Sequence, residues 1–160
     1  MKVSAFTSVY PGLANRLNTD ATLRYNGNEV TVVALWDTGA TCTCISKDVV
    51  SALNLIPLGK RQILTPSGSL TANIYQIDII LPNNVIAKDF IVSDSEIGAQ
   101  GIGTLIGMDI IGQGDFAVSN HNKKTVFTFR TPSQKRTDYV ADVKIQNAIG
   151  PKHGKGKRKK

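Results

Sequence analysis

The amino-acid sequence predicts an all-β fold, either a barrel or a sandwich, with one or two short helices. Runs rich in β-branched and aromatic residues recur about every eight to twelve residues, and Gly, Pro, Asn and Ser separate them, which is typical of both architectures. Hydrophobic residues make up 41% of the 160-residue chain, enough to bury a core in a single domain of this length.

Turn signals divide the chain into its predicted elements. Asn26-Gly27 joins the first two strands, because this pair adopts the left-handed backbone that a two-residue hairpin turn requires. Ser46 is placed to cap the first helix through its hydroxyl. The predicted strands lie at residues 19–24, 29–36, 41–45, 61–64, 70–81, 85–92, 116–118 and 125–130, the helices at residues 47–54 and 108–111, and a polar loop at residues 93–103.

The excess positive charge lies at the C-terminal end. The net charge is +7, and seven of the 19 Lys and Arg residues follow Asp142, so the rest of the chain is neutral. Beyond Pro151 the chain contains only Gly, Lys and Arg apart from His153, which is too polar to offset the entropy of ordering it. We assign residues 1–132 to the folded domain and residues 133–160 to a C-terminal extension with a disordered basic tail.

Two interpretations of this tail stay open. Clustered Lys and Arg side chains release counterions when they contact phosphates, which favours nucleic-acid binding. No aromatic residue follows Tyr139 to stack on a base, so we expect a solvated end rather than a nucleic-acid contact. Residues 139–149 carry enough apolar side chains for one weakly amphipathic turn or docking segment.

Cys42 and Cys44 are the only cysteines. Two residues apart on a strand, their Cα atoms are too extended for a disulfide, so we expect free, buried thiols and a reducing compartment. Only His121 and His153 accompany them, which falls short of a zinc ligand set. The sequence has no apolar run of membrane-spanning length and no signal-like N-terminus, so we expect a cytoplasmic protein without membrane contact.

The most informative segment is Trp36-Asp37-Thr38-Gly39-Ala40-Thr41. It places a carboxylate at the end of an apolar strand, on a turn whose glycine lets the backbone approach a bound group. A charge there is costly unless it is paired or hydrogen-bonded, so such carboxylates are candidates for chemistry. The alternative is a structural Asx turn, in which the carboxylate only accepts hydrogen bonds from nearby amides.

Two further segments follow this turn. Leu105-Ile106-Gly107 lies about seventy residues further on and leads into the short helix at residues 108–111. Between the two, residues 61–64 and 70–81 flank Thr65-Pro66-Ser67-Gly68-Ser69, which indicates a β-hairpin. The three segments in this order form a much more specific pattern than any one of them.

Over residues 18–131 these segments resemble the retropepsin-like aspartic proteases. The resemblance implies a closed β-barrel of the acid-protease half-lobe type and peptide hydrolysis without a metal or cofactor. It implies that Asp37 is catalytic and that Gly107 allows its strand to pack against the active-site loop. The resemblance also implies that the active-site loop comprises Thr38, Gly39 and Ala40. It implies that the substrate-binding flap comprises Pro66, Ser67, Gly68 and Ser69.

The resemblance also implies a homodimer. Hydrolysis by aspartates needs two carboxylates that share one proton, and the chain has a single Asp-Thr-Gly, so two copies would bring Asp37 against the partner's Asp37. Thr38 would brace the two loops across the dimer. Asp109 lacks the Thr-Gly turn, and we expect it to stabilise the start of a helix instead.

Terminal strands close the dimer in this family, which points to residues before Asp20 and to residues 125–132. Phe127 and Phe129 alternate with polar residues and give the last strand an apolar face, which we expect to meet the partner subunit.

The predicted function is an aspartic endopeptidase acting on extended peptides, and two alternatives stay open. One is a catalytically inactive, dimeric peptide-binding or scaffold module of the same fold. The other is a processing protease from a mobile-element polyprotein. The intact Asp37-Thr38-Gly39 argues against the first alternative, because a scaffold has no need of that carboxylate.

Overall fold

The computed structural model describes residues 2–65 and 68–149. Two residues of the predicted flap, Pro66 and Ser67, lie outside the described residues, as does the predicted basic tail from residue 150 with its His153. The strands are β1 Ser4–Val9, β2 Asn18–Tyr25, β3 Asn28–Trp36, β4 Cys44–Ser46, β5 Gly59–Thr65, β6 Gly68–Ile80, β7 Ile86–Ser95, β8 Thr104–Ile106, β9 Asp115–Ser119 and β10 Val126–Thr131; the helices are α1 Lys47–Ala52, α2 Met108–Ile111 and α3 Tyr139–Ile149.

Six strands close into a barrel. They follow the order β2-β3-β8-β4-β7-β6, and β6 returns to pair with β2 around Leu23 and Ile79. The pairs β3–β8 and β4–β7 are parallel, whereas the other neighbours are antiparallel. Strand β5 pairs with β6 and forms a hairpin beside the barrel. The predicted closed β-barrel is confirmed, and the sandwich is excluded.

Each barrel strand contributes one fully buried aliphatic side chain to the interior. Alternate residues of a strand point to opposite faces, so a period of two is enough to line the barrel with apolar groups. These six side chains have no solvent-exposed surface, and removing them from water is the main favourable term in closing the barrel. They are Leu23, Ala34, Ile45, Ile79, Val92 and Ile106.

Local turn and cap chemistry agrees with the sequence-based prediction. Asn26 and Gly27 have φ values of 47° and 81°, the left-handed conformation expected for an Asn-Gly hairpin turn. The Ser46 hydroxyl accepts a hydrogen bond from the Val49 amide at 3.3 Å and caps α1.

A second sheet, in the order β1-β10-β9, packs its aromatic face against Trp36. The Trp36 ring centroid lies 5.2 Å from that of Phe127 and 5.0 Å from that of Phe129. Phe6 and Phe116 join the same cluster from β1 and β9. The end of β3, and therefore the start of the turn that carries Asp37, is anchored in this cluster.

The prediction that Phe127 and Phe129 face a partner subunit is wrong. Both side chains are buried in their own chain, with 0% and 1% of their surface exposed. Strand β1 pairs along the whole of β10, from Ser4–Thr131 to Val9–Val126, and this sheet covers the barrel with its apolar face. The alternation of Phe with polar residues does produce an apolar face, but this face packs against the chain's own core.

The strand predicted at residues 41–45 begins later in the structure, and this changes the interpretation of the two cysteines. Strand β4 begins at Cys44 because Thr41 and Cys42 form a bend. Cys42 is exposed and Cys44 is half-buried, so the expectation of two buried thiols is wrong for Cys42. Strand β7 in turn extends to Ser95, because residues 93–95 pair with β4 rather than belonging to a polar loop.

The segment after β10 begins against β9 and ends in an exposed helix. The Asp115 carboxylate accepts hydrogen bonds from the Ser133 hydroxyl, the Gln134 amide and the Arg130 guanidinium, and these donors hold its pKa well below the usual range. Asp138 caps α3 by accepting from the Val140 and Ala141 amides at 3.1 and 3.2 Å. All α3 side chains are exposed, and no helix within residues 2–65 and 68–149 is long and apolar enough to cross a membrane.

Phe127→Ala is expected to lower the free energy of unfolding by about 3–5 kcal/mol, because it leaves a cavity among the packed aromatic rings. Val9→Ala on β1, where 67% of the side chain is exposed, is the matched control and should change stability by less than about 1 kcal/mol. Urea denaturation followed by tryptophan fluorescence measures both. Equal effects of the two substitutions would contradict the assignment of Phe127 to the core.

Candidate active site

The turn after β3 is held in place by the buried indole of Trp36. Its ring nitrogen donates a hydrogen bond to the Thr19 hydroxyl at 2.9 Å, and only 4% of the residue is exposed. The bulky side chain therefore packs and orients the end of the strand. Asp37 is the next residue, where the backbone leaves the barrel wall.

The Asp37 carboxylate is half-buried and uses one of its two oxygens locally. Oδ1 accepts a hydrogen bond from the Gly39 amide at 2.8 Å, while the Asp37 amide donates to the Ile106 carbonyl at 3.0 Å. No donor among the described residues reaches Oδ2. The Asx turn that was the alternative interpretation is thus present, and it leaves one oxygen available to a ligand or to a second subunit.

The strand that carries Gly107 lies directly against the active-site loop. A Cβ atom at position 107 would come within 2.6 Å of the Cys42 carbonyl carbon and 3.0 Å of the Ala40 carbonyl oxygen, so only glycine fits. The next amide, that of Met108, donates to the Ala40 carbonyl at 2.8 Å. This close approach fixes the far side of the turn that begins at Asp37.

Asp109 and Thr43 form a second connection between the same two segments. The Asp109 carboxylate accepts from the Thr43 amide at 2.8 Å, from the Thr43 hydroxyl at 2.7 Å and from the Ile110 amide at 3.0 Å. The Thr43 hydroxyl in turn accepts from the Gly107 amide at 3.1 Å. Both Asp109 oxygens are therefore engaged in fixing the loop and α2, which leaves Asp37 as the carboxylate exposed on the turn.

A hollow of about 360 Å³ lies between the active-site loop and the β5–β6 hairpin. Gly39 and Ala40 form one side, and Ile63 and Leu70 of the hairpin form the opposite side. The remaining lining residues are Thr41, Cys42, Cys44, Arg61, Gln62, Leu64, Ser93, Asp94, Ser95 and Leu105. Because residues 39–42 line it, a ligand in this hollow would extend along the loop that follows Asp37.

Of the predicted flap residues, Gly68 and Ser69 are described. Gly68 has a φ of 126°, a conformation that L side chains rarely adopt, so glycine is required at this bend. The Ser69 hydroxyl donates to the Gln62 side chain at 2.8 Å and ties the two strands of the hairpin together.

A second hollow, of about 350 Å³, lies on the other side of Asp37. Asp37 and Thr38 line it together with Phe116 of β9 and residues 15–17 of the preceding loop. Thr38 is exposed here, and its side chain is on the surface rather than in the barrel. Asp37 thus lines the hollow beside β9, and Gly39, whose amide bonds to its carboxylate, lines the one under the hairpin.

Sequence reasoning missed two polar residues that shape this region. Thr43 is completely buried, and Asp94 is 8% exposed and accepts from the Asn73 amide, the Asn73 side chain and the Tyr75 hydroxyl. Burial and the neighbouring Asp94 raise the pKa of Tyr75. A Thr immediately before a short strand gives no local signal for these long-range bonds, which depend on segments distant in sequence.

The fold of the chain is similar to those of solved protease structures. The structure of a retropepsin-like aspartic protease from Rickettsia conorii superposes with a TM-score of 0.51 at 14% identity, covering 81% of this chain and 96% of that one, and it shows that the barrel has the retropepsin-like fold. The Simian Foamy Virus (mac) protease gives a TM-score of 0.43 at 21% identity over 60% of this chain and 92% of its own. The EIAV protease gives 0.46 at 22% identity over 64% and 90%.

The sequence itself identifies the family. Residues 21–113 match the model of the family described as "gag-polyprotein putative aspartyl protease". The match covers more than half of the chain and includes the Asp37 turn, the β5–β6 hairpin and Gly107, and the chain belongs to this family. A comparison with curated proteins gave no significant match.

Asp109→Asn is expected to lower the free energy of unfolding by about 1–3 kcal/mol. In either orientation, the new amide group places its NH₂ against one of the two backbone amides that the carboxylate accepts from, so one buried donor loses its partner. Urea denaturation measures the change, with Asp142→Asn on the exposed α3 as the control. A variant as stable as the wild type would contradict the role given to this carboxylate.

Proposed function

We propose that the protein is an aspartic endopeptidase whose active site forms across a homodimer. The observation that carries the proposal is the state of Asp37: it lies half-buried on the turn after a barrel strand, with Oδ1 fixed by the Gly39 amide and Oδ2 free of donors among the described residues. A carboxylate held in this way is oriented for chemistry while one oxygen stays available.

The proposed chemistry needs two such carboxylates. The ionised Asp37 takes a proton from a water molecule as the water oxygen attacks the carbonyl carbon of the scissile peptide bond. In the same step the partner's Asp37, which is protonated, donates its proton to the carbonyl oxygen. In the second step the C–N bond breaks, and the leaving nitrogen takes up the proton that Asp37 removed from the water. Two like charges at about 3 Å cannot both ionise, so sharing one proton is the stable state of the pair. Neither step requires a metal or a cofactor.

The dimer is proposed because a single chain presents only half of this pair. Asp109 is engaged with Thr43 and Ile110, so it is not available as the second group. The hollow beside Asp37 that is lined by Thr38, Phe116 and residues 15–17 is where we place the partner subunit. It adjoins β9, which pairs with β10 on one side only in the described part of the chain and so leaves a strand edge open to pairing.

The other hollow is the proposed substrate groove. Gly39 and Ala40 line one side of it, and an extended peptide would bind there by strand-like hydrogen bonds beneath the β5–β6 hairpin. The proposed substrate-binding flap comprises Pro66, Ser67, Gly68 and Ser69, of which Gly68 has a φ of 126° that favours glycine. The exposed free thiol of Cys42 suits a reducing compartment such as the cytoplasm, which is the location we propose.

The proposed dyad works at acidic pH, where one carboxylate is protonated and the other ionised. The hydrogen bonds between Asp115 and the segment after β10 are compatible with this range of pH. Because the pKa of Asp115 is lowered in the folded chain, its contribution to stability is present above the usual Asp pKa and is lost only as the pH falls below it.

Asp37→Asn is expected to reduce peptide cleavage by about 10²–10⁴-fold or more while the fold remains intact. The asparagine oxygen can still accept from Gly39, so the turn is kept, whereas the proton chemistry is lost. Cleavage of a fluorogenic peptide library between pH 3 and 8 measures activity, and circular dichroism checks the fold. Asp142→Asn serves as the control with unchanged activity.

Two outcomes would reject the proposal. Full activity of the folded Asp37→Asn protein would show that another group performs the reaction. A wild-type protein that binds library peptides without cleaving them at any pH would favour the alternative of a non-catalytic binding module, in which the Asx turn at Asp37 is purely structural.

A further inference from the structure

The inner face of the β5–β6 hairpin carries one cation, Arg61. Residues directly opposite each other in a ladder share a face, and Arg61 pairs with Ala72 while Ile63 pairs with Leu70. Ala72 is only 4% exposed, which identifies this face as the one turned toward the barrel. Arg61, Ile63 and Leu70 all line the hollow beside the active-site loop.

The opposite, outer face of the hairpin carries the side chain of Gln62. This side chain bonds to the Thr71 and Ser69 hydroxyls across the two strands, although Gln62 also lines part of the hollow. Lys60 shares this outer face with Gln62, since both are one residue from Arg61 along the strand. The two neighbouring cations of β5 are thus separated by the sheet, and only Arg61 lines the hollow.

Arg61 has no anionic partner in the described part of the chain. The ion pairs found there are made by Arg24, Lys47, Arg130 and Arg136. The described contact of the Arg61 guanidinium is with the Cys42 sulfur, which accepts from Nη1 at 3.8 Å. A thiol is a weak acceptor, so this contact leaves the charge and the remaining donors of the guanidinium open to a ligand.

The acidic residue that lines the same hollow does not neutralise Arg61. Asp94 is 8% exposed, and its two oxygens accept from the Asn73 amide at 2.9 Å, the Asn73 side chain at 3.1 Å and the Tyr75 hydroxyl at 3.3 Å. These three donors occupy both of its oxygens and fix the side chain in the barrel wall, so it forms no ion pair with Arg61. The charged group with donors still open to a ligand in this hollow is therefore the Arg61 guanidinium.

We propose that this hollow is a subsite for an acidic side chain, Asp or Glu, of the bound peptide, with Arg61 as the residue that determines this preference. The inference rests on the proposed function, because it takes the bound molecule to be a peptide along the active-site loop. The fork of N–H donors in a guanidinium matches a carboxylate in two parallel hydrogen bonds. Ile63 and Leu105 contact the methylene groups of the same side chain from either side.

The expected size of the preference for an acidic side chain follows from the exposure of Arg61 to solvent. A partly solvated guanidinium–carboxylate pair favours its acidic ligand by about fivefold over the neutral amide, and salt screens this preference. Peptides with Glu in this subsite should therefore be preferred over otherwise identical peptides with Gln, and peptides with Lys should be disfavoured.

The first test uses Cys42 as a reporter and needs neither catalysis nor a dimer. The thiolate displaces iodide from anionic iodoacetate or from neutral iodoacetamide, and the ratio of the two rates measures the local charge, because changes in thiolate fraction affect both reagents equally. Burial raises the pKa of Cys44 to about 11, so it stays protonated at pH 7.5 and reacts slowly. Peptide mass spectrometry distinguishes the two cysteines.

Arg61→Gln is expected to lower the iodoacetate-to-iodoacetamide rate ratio at Cys42 by about threefold to fivefold. Lys60→Gln removes the same charge from the outer face and should leave the ratio unchanged. Equal ratios in the wild type and in Arg61→Gln would overturn the proposal, whether or not the protein cleaves peptides. A folded state checked by circular dichroism is required of both variants.

The second test compares peptide libraries that differ only in a fixed Glu, Gln or Lys, scanned through each position. In the wild type, one position should show the order Glu, Gln, Lys, read from cleavage or from protection of Cys42 against iodoacetamide. Arg61→Glu should invert this order at that position, and Lys60→Glu should not. Protection in this order without cleavage would reject the proposed protease activity but support the subsite; indifference to Glu, Gln and Lys at every position would reject the subsite.

Discussion

The close contact between Gly107 and the backbone of residues 40–42 is the constraint on which the rest of the site depends. With no side chain at position 107, β8 and α2 approach the active-site loop closely enough for Met108 to bond to Ala40 and for Asp109 to bond to Thr43. A loop with exposed backbone would otherwise sample many conformations, and fixing it before a ligand arrives lowers the entropic cost of binding. The carboxylate of Asp109 is thus used for rigidity, and that of Asp37 is left available for the proposed chemistry.

The same loop is fixed at its other end by aromatic packing in addition to hydrogen bonds. Trp36 is enclosed by Phe6, Phe116, Phe127 and Phe129, so the sheet formed by the two ends of the domain holds the strand that leads to Asp37. Strand β9 contributes Phe116 both to this cluster and to the hollow where we place the second subunit. Strand β9 therefore takes part both in packing the core and in the proposed dimer interface.

Much of the barrel could be predicted from the sequence, because local signals determine it. The Asn26-Gly27 turn, the Ser46 cap and the period-two pattern of the strands each act within a few residues. The Asp37 turn and Gly107 were found through their order along the chain. Parallel pairing of β3 with β8 brings them together, and the structure shows why glycine is needed.

What the sequence did not reveal depends on contacts between distant segments. The apolar face of Phe127 and Phe129 is visible in the sequence, but whether it meets the chain's own core or another subunit depends on where β1 pairs. Cys42 was predicted to be buried because a strand was extended through it, whereas Thr43 is held by Asp109, 66 residues away, and the chain bends before it. The inward direction of Arg61 likewise requires the register of β5 with β6.

In the proposed mechanism, catalysis requires an Asp37 from each of two chains, and a mixing experiment tests this requirement most directly. A fixed amount of wild-type protein is equilibrated with increasing amounts of the Asp37→Asn protein, and peptide cleavage is measured at acidic pH. With random pairing, the activity should fall to about one half at equal amounts and to about one quarter at a threefold excess of the variant, because mixed dimers lack the dyad. Activity that is unaffected by any excess of the folded Asp37→Asn protein would contradict the account.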